Sequence, residues 1–487
     1  MNPLAACSDC HSSDSLFSCT DTIPQLSRTR LAVSMREPGM SACRFLEDAT
    51  RRIVCDDFAC GSSLYGRGEE LEGRSILIAT QEQITAASAV LELDGVARRI
   101  VLWPPDLSLE HLPFVVSTAE VDCIISDHAM IASGSHRRMC YWPCSRNLIS
   151  IAATDAPIQE TEWILMTSGT TGRPKLVAHT LTNLTAAIQS RYKQDEEVIW
   201  GTFYDVRRYG GLQILLRAAL TGASLVLSSH EEAPADFLVR LARAGVTHIS
   251  GTPSHWRRAL MSPAVTLLNP KYIRLSGEAP DQGILSRLQS TFPAARIVHA
   301  FASTEAGVAF EVTDGMAGFP ASVLNENPLV DMKVVDGTLR IRSAGNAKGY
   351  VGHDAPALKD KDGFVDAGDR VELRDGRYYF AGRRDGVINV GGLKVHPEEV
   401  ESVIERHPEV QVCLVHAKKS PITGALVVAN VVPNVPPTSS DRDMHRLERD
   451  ILQLCREALP AHKVPAAIKL VSELPIAESG KVMRQYA

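Results

Sequence analysis

No stretch of this chain approaches the roughly 20 consecutive apolar residues that a membrane-spanning helix needs, and its first residues lack the charged-then-apolar pattern of a secretory leader. A cytoplasmic protein is expected. Basic charge is not in excess either: 51 Lys and Arg stand against 57 Asp and Glu, a net charge of −6. There is no field to draw nucleic acid or an anionic membrane, and any polyphosphate must be held by local groups. Paired metal-binding cysteines are missing as well. The eleven cysteines are scattered, six of them before residue 61, and Cys7-x-x-Cys10-His11 has no second pair at matching spacing. In its Ser-rich surroundings that run reads as part of a tail rather than a metal or haem site, and a cytosolic chain would keep the thiols reduced. No internal repeat is present.

What the chain does have is length and rhythm. At 487 residues it exceeds one ordinary core, so two or more domains are expected. Residues 1–70 mix Ser, Cys, Asp and Gly without periodicity and stay unassigned. From Arg74 strands and helices alternate: strands at 75–79 and 99–103, a helix over 81–93, and a short strand at Cys123–Ser126. Further on, the pattern predicts a helix over 181–194 capped by Thr180 or Thr182, a helix over 212–220, and strands at 224–227, 246–250 and 272–275. This βα alternation argues for an α/β domain with a largely parallel sheet. Beyond Asp331 it yields to short strands with Asp-Gly turns at 336–337, 362–363 and 375–376, a β subdomain. The last hundred residues read as a small α+β domain. Its expected elements are helices over 397–406 and 441–458 and strands over 410–416 and 426–432. The expected division is therefore 1–70, 71–384 and 385–487.

One stretch concentrates chemistry. Trp163-Ile164-Leu165-Met166 is an apolar strand that runs directly into Thr167-Ser168-Gly169-Thr170-Thr171-Gly172-Arg173-Pro174-Lys175. Glycines let backbone N–H groups turn inward, hydroxyls add donors and Lys175 adds charge, which is what a phosphate group requires. Such loops also occur as plain turns. It is not a Walker A, because Arg173-Pro174 separates Gly172 from Lys175. Its order and content resemble the signature loop of the adenylate-forming superfamily, which holds acyl-CoA synthetases, the adenylation domains of peptide synthetases and luciferases.

Four further motifs follow in that superfamily's order. Ala300-Phe301-Ala302-Ser303-Thr304-Glu305 resembles the segment in which the Thr reaches phosphate and the Glu holds magnesium on ATP, with Phe301 where tyrosine is usual and Ala302 where glycine is. Val365-Asp366-Ala367-Gly368-Asp369 resembles the Thr-Gly-Asp motif with Ala367 replacing threonine, which implies that Asp369 accepts from the ribose hydroxyls. Gly382-Arg383-Arg384-Asp385 matches the hinge motif, with Arg383 on the nucleotide and Asp385 as the pivot. After it, Gly391-Gly392-Leu393-Lys394 corresponds to the loop lining the pantetheine tunnel in acid-CoA ligases. Near the end, Glu478-Ser479-Gly480-Lys481 resembles the terminal motif, making Lys481 the catalytic lysine.

The resemblance covers about residues 74–484. It implies a large N-terminal domain, a mobile C-terminal domain, and a two-step reaction using ATP, Mg2+ and CoA. The acid first attacks the α-phosphorus to give acyl-AMP; the C-terminal domain then turns about Asp385 and admits the thiol. For the acid itself the signal is thinner. Tyr204, Tyr209, Ser276 and Gly277 are expected to shape the acyl pocket, with Arg207 or Arg208 either solvated or meeting a polar substituent. No histidine stands near Val206, and Tyr209 occupies the position where amino-acid-activating relatives carry aspartate, which favours an aryl or short to medium aliphatic acid unless Asp205 takes the aspartate's place through a loop shift. The acceptor is CoA or a carrier protein supplied in trans; a nucleotide-binding regulator without turnover is the remaining reading.

Overall fold

The computed structural model describes Leu31 and residues 44–59, 61–128, 140–150, 159–167, 173–188, 197–229, 231–383, 386, 388–390, 393–420, 424–434 and 441–474. Two sheets with helices between and around them form the larger unit. The first has eight strands in the spatial order Gly307–Val312, Arg296–Ser303, Tyr272–Ser276, His248–Gly251, Ile199–Thr202, Ser224–Leu227, Phe45–Glu47 and Arg52–Val54. Its inner pairs are parallel and its two outermost pairs antiparallel. The second sheet has seven strands: Gly349–Tyr350, Lys175–Thr180, Glu162–Thr167, Arg99–Leu102, Ser75–Ile78, Cys123–Ser126 and Cys140–Pro143.

The helices Gln83–Leu93 and Tyr209–Thr221 lie between these sheets and are apolar on nearly every side, so both are buried almost throughout. A single core gathers Ile76, Ile100 and Leu165 from one sheet, Trp200, Leu225 and Leu227 from the other, and Ala86, Val90, Leu212 and Leu216 from the helices. A second core, with Phe237, Trp256, Ile273 and Leu288, fills the outer face of the eight-stranded sheet.

The segment that sequence reading left unassigned takes part in this from Arg44 onward. Phe45–Glu47 pairs in parallel with Ser224–Leu227, and Leu46, Ile53, Phe58 and Leu64 enter the core between the sheets. Strands this short, paired with residues about 180 positions away, carry no local periodicity. Of the expected helix over 181–194, the helix Leu181–Thr185 is present, with Thr180 as N-cap in a capping box with Asn183, and it ends before residue 188; residues 189–194 lie outside the described residues. Thr182, Asn183 and Thr185 are poor helix formers, so little propagates the helix after the first turn.

The β subdomain is a five-stranded sheet, Phe319–Pro320, Arg377–Arg383, Val365–Arg374, Thr338–Ser343 and Val330–Val335. Two of the three Asp-Gly turns are hairpin turns with positive φ at both residues, Asp336 and Gly337 at 51° and 74°, Asp375 and Gly376 at 49° and 77°. The third is a wider turn closed by the Gly363 N–H donating to Asp360 O. Residues 388–474 build a separate small unit: the strands Val410–Ser420, Gly424–Pro433 and Ala467–Leu470 covered by the helices Pro397–Ile404 and Asp441–Ala458 around their own core.

Candidate active site

The signature loop joins two antiparallel neighbours, Glu162–Thr167 and Lys175–Thr180. Thr167 and Lys175 are direct cross-strand partners, so both flank the mouth of the loop between them. Ser168, Gly169, Thr170, Thr171 and Gly172 lie outside the described residues. Two more strands deliver side chains to the same place. Glu305 Oε1 sits 3.4 Å from the Thr167 hydroxyl and 3.4 Å from the Tyr350 hydroxyl, and Lys175 Nζ lies 5.5 Å from the Tyr350 ring centroid. Tyr350 was not foreseen; it arrives because Gly349–Tyr350 pairs with Val177 and Ala178.

The turn carrying Thr304 and Glu305 is clamped from behind. Ala347 N–H donates to Glu305 O at 2.9 Å and Asn346 Nδ2 to Ala306 O at 3.1 Å. Gly307 has φ +75° and a Cβ there would stand 2.4 Å from Gly345 O, so no other residue fits. Below this turn the His179 ring is fixed by Asn183. Asn183 Oδ1 already accepts from Thr180 N–H at 3.2 Å, so it is an acceptor and His179 Nδ1, 3.0 Å away, is the donor. Burial pulls the His179 pKa down to about 4, which keeps the ring neutral.

Asp369 and Arg383 are cross-strand partners in the β subdomain. Phe301 lies parallel to Phe310 and Phe380 at ring-centroid distances of 5.7 and 5.3 Å. Ala367 is buried in the same apolar cluster. Asp366 makes the turn: its Oδ1 accepts from Gly368 N–H at 2.9 Å and its Oδ2 pairs with Arg340 at 3.2 Å. Of Arg383 and Lys394 only the backbone is described, Lys394 pairing with Asn389 in the hairpin Ile388–Val390 and Leu393–Val395. Asp385, Gly391, Gly392 and Lys481 lie outside the described residues.

Of the expected acyl-pocket residues, Tyr204 and Ser276 are in direct contact, while the Tyr209 ring lies 5.9 Å from that of His179. The Tyr204 hydroxyl donates to Ser276 O at 2.7 Å, Gly277 turns the chain at φ +84°, and Tyr209 opens the helix behind Tyr204. That helix starts close to the preceding loop, since a Cβ on Gly211 would stand 2.1 Å from Asp205 O. The arginines do not behave as solvated side chains. Arg207 is 1% exposed and grips Asp205 with two bonds of 2.8 and 2.6 Å while also donating to Thr80 O and Gln81 O; Arg208 bonds Asp106. Asp205 is thereby committed to Arg207 and offers no anchor for a substrate ammonium. His255, which sequence reasoning did not single out, stacks on Phe203 and meets Tyr204 edge-on; burial lowers its pKa to about 3.

Residues 78–351 match the family model described as AMP-binding enzyme, and 399–481 match the AMP-binding enzyme C-terminal domain. The chain is an AMP-binding enzyme of the adenylate-forming superfamily. Among its relatives, the dimodular nonribosomal peptide synthase of Bacillus subtilis (strain 168) is 26% identical over 67% of this chain, which spans 15% of that protein. The human mitochondrial acyl-coenzyme A synthetase ACSM5 is 24% identical over 76% of this chain and 68% of its own length. In structure the enzyme is similar to a point variant of E. coli MenE with bound OSB-AMS, with a TM-score of 0.73 at 20% identity, over 92% of this chain and 94% of that one. The last likeness is one of fold.

Proposed function

We propose that this enzyme activates a carboxylic acid with ATP, giving acyl-AMP and pyrophosphate, and passes the acyl group to the thiol of CoA. The observation that carries the reading is the cluster at the loop mouth, where Thr167, Lys175, Glu305 and Tyr350 meet. Glu305 fits a magnesium ion: its two hydroxyl contacts at 3.4 Å are too long to satisfy a carboxylate, and a hard oxygen donor is the ligand that ion takes alongside substrate phosphates. When bound, the ion would neutralise phosphate charge.

The chain's own groups would do the rest. Lys175 and the loop from Ser168 to Gly172 would hold the outer phosphates, Thr304 would reach phosphate, and Asp369 would accept from the ribose hydroxyls with Arg383 beside it. Phe301 would flank adenine. Lys481 would meet the negative charge that develops at the α-phosphoryl oxygens, and then leave as the chain turns at Asp385 and brings Gly391, Gly392 and Lys394 toward the thiol. Tyr204, Tyr209, Ser276 and Gly277 would enclose an acid without an ammonium group, since Asp205 is neutralised by Arg207.

Similarity to a peptide synthetase supports a second reading, transfer to a carrier-protein phosphopantetheine thiol. Mass spectrometry of products formed from Mg-ATP and a panel of aryl, aliphatic and amino acids, each with and without CoA, separates them. Acyl-CoA with AMP supports the first. Acyl-AMP that accumulates in the presence of CoA supports the second, and no AMP from any acid rejects both.

A further inference from the structure

The short helix Pro253–Ala259 touches three places at once. In its first turn the Ser254 N–H and hydroxyl both donate to Glu278 Oε2, at 3.1 and 2.8 Å. His255 packs against Phe203 and Tyr204 at 5.3 and 5.8 Å. Two residues on, Arg257 bonds Asp281 Oδ2 and lies 3.2 Å from Glu405 Oε2. Glu278 and Asp281 belong to the loop that begins at Ser276, whose carbonyl accepts from Tyr204. Glu405 closes the helix Pro397–Ile404 of the C-terminal unit. One short, rigid helix thus connects the acyl-pocket wall, the loop 276–281 and the C-terminal unit through direct contacts.

The Arg257 and Glu405 side chains are 22% and 20% exposed, so the pair is shielded from much of the screening that weakens surface ion pairs. Asp281 divides its carboxylate: Oδ1 accepts from Ile284 N–H at 2.8 Å as the N-cap of the helix Gln282–Thr291, and Oδ2 takes Arg257. Any displacement of the loop 276–281 therefore moves an anion that competes with Glu405 for the same guanidinium.

We propose that Arg257 is a positioning residue that couples the acid-binding loop to the orientation of the C-terminal domain. The Arg257–Glu405 pair holds the orientation seen here, and the loop 276–281 sets the strength of that hold through Asp281. This rests on the two-step reading above, because only a reaction with two domain orientations gives the coupling something to act on.

The test is Glu405→Gln, which keeps the shape of the side chain and leaves Arg257–Asp281 intact. The first half reaction is read as ATP–pyrophosphate exchange and the second as thioester formed from supplied acyl-AMP and CoA. The expected result is that the two rates move in opposite directions, changing their ratio tenfold or more. Asp281→Asn, which keeps a good cap but removes the charge, should shift the ratio and also the KM for the acid. A common fall in both rates, or no change in the ratio, overturns the proposal. Hydrogen exchange gives an independent readout: in Glu405→Gln, protection should drop at 397–405 and rise at 276–281, because Arg257 is left to Asp281 alone, and an unchanged loop refutes the coupling. If the wild-type enzyme supports no pyrophosphate exchange with any acid, the functional reading falls, while the hydrogen-exchange experiment still decides whether loop and domain are tied.

Discussion

Replacing Arg207 by methionine isolates the consequence of a buried charge. Arg207 and Asp205 are 1% and 7% exposed and joined by two parallel hydrogen bonds, with further bonds from Arg207 to the carbonyls of Thr80 and Gln81. Removing one partner of such a pair leaves an uncompensated carboxylate and two unmet acceptors, at a cost of about 3–5 kcal/mol. With an unfolding entropy of about 2.1 cal/mol/K per residue over the roughly 340 residues of the larger unit, that cost lowers its Tm by about 4–7 °C. Burial pushes the Asp205 carboxyl up, but the Arg207 guanidinium more than offsets this and holds it below its ordinary value. In the wild type the contribution is thus present above the unfolded carboxylate pKa of about 3.9 and lost as pH falls through the lower folded value. In Arg207→Met the guanidinium is gone and only the residue-207 backbone N–H and Arg208 still oppose burial, so the folded pKa rises, and the penalty appears only as pH climbs above the unfolded value. The stability gap between the two proteins is therefore widest at neutral pH and closes toward about pH 4. Thermal melts at about pH 7.5 and 4.5, on either side of that change, compare wild type, Arg207→Met and Asp205→Asn/Arg207→Met, the double variant being less damaged than the single. A single variant within about 1 °C of wild type, or a gap that widens in acid, refutes the reasoning.

Lys481→Ala should cut acyl-AMP formation by about two orders of magnitude or more while leaving thioester formation from supplied acyl-AMP intact, measured as separate half reactions; equal loss in both contradicts its assignment to one orientation. Glu305→Gln should raise the magnesium concentration needed for half-maximal pyrophosphate exchange by at least the roughly 10-fold that losing even an outer partner of a metal site costs, and an unchanged requirement removes Glu305 from the metal. Tyr204→Phe loses the bond to Ser276 O, worth about 1 kcal/mol, so kcat/KM for the acid should fall about fivefold with the KM for ATP unchanged; a parallel rise in the ATP value places Tyr204 elsewhere.

Local pattern made much of this legible. The strand that runs from Trp163 into Thr167, the βα alternation and the helix Asp441–Ala458 all follow from apolar spacing and turn chemistry that a short window contains. What the window cannot contain is a partner far away in sequence. Phe45–Glu47 is a strand only because residues 225 and 226 lie beside it, and Arg207 is buried only because Asp205 and the Thr80 carbonyl face it. Two arginines in a row in a polar stretch read as solvated until the tertiary contacts appear. Tyr350 escaped notice for the same reason: it reaches Glu305 by sheet pairing, with no sequence signal of its own.

Two of the three departures from the family's motifs, Phe301 and Ala367, are accounted for by what surrounds them. Phe301 extends a run of parallel rings with Phe310 and Phe380, and Ala367 is buried in the same cluster with Phe319, Leu339 and Val365. A threonine hydroxyl in place of the buried Ala367 would need a partner, and an unmet one costs about 1–3 kcal/mol, whereas Phe301 is half-buried at the edge of the cluster. Both residues thus suit an apolar surrounding, a matter of packing. The charged positions, Lys175, Glu305, Asp369, Arg383 and Lys481, are kept. A half-buried carboxylate costs desolvation, and at Glu305 the Thr167 and Tyr350 hydroxyls at 3.4 Å offset it only weakly, which fits a site completed by a bound cation. That pattern, apolar packing around the motifs with charged groups at the mouth, supports the proposed ligase over a regulator that only binds nucleotide.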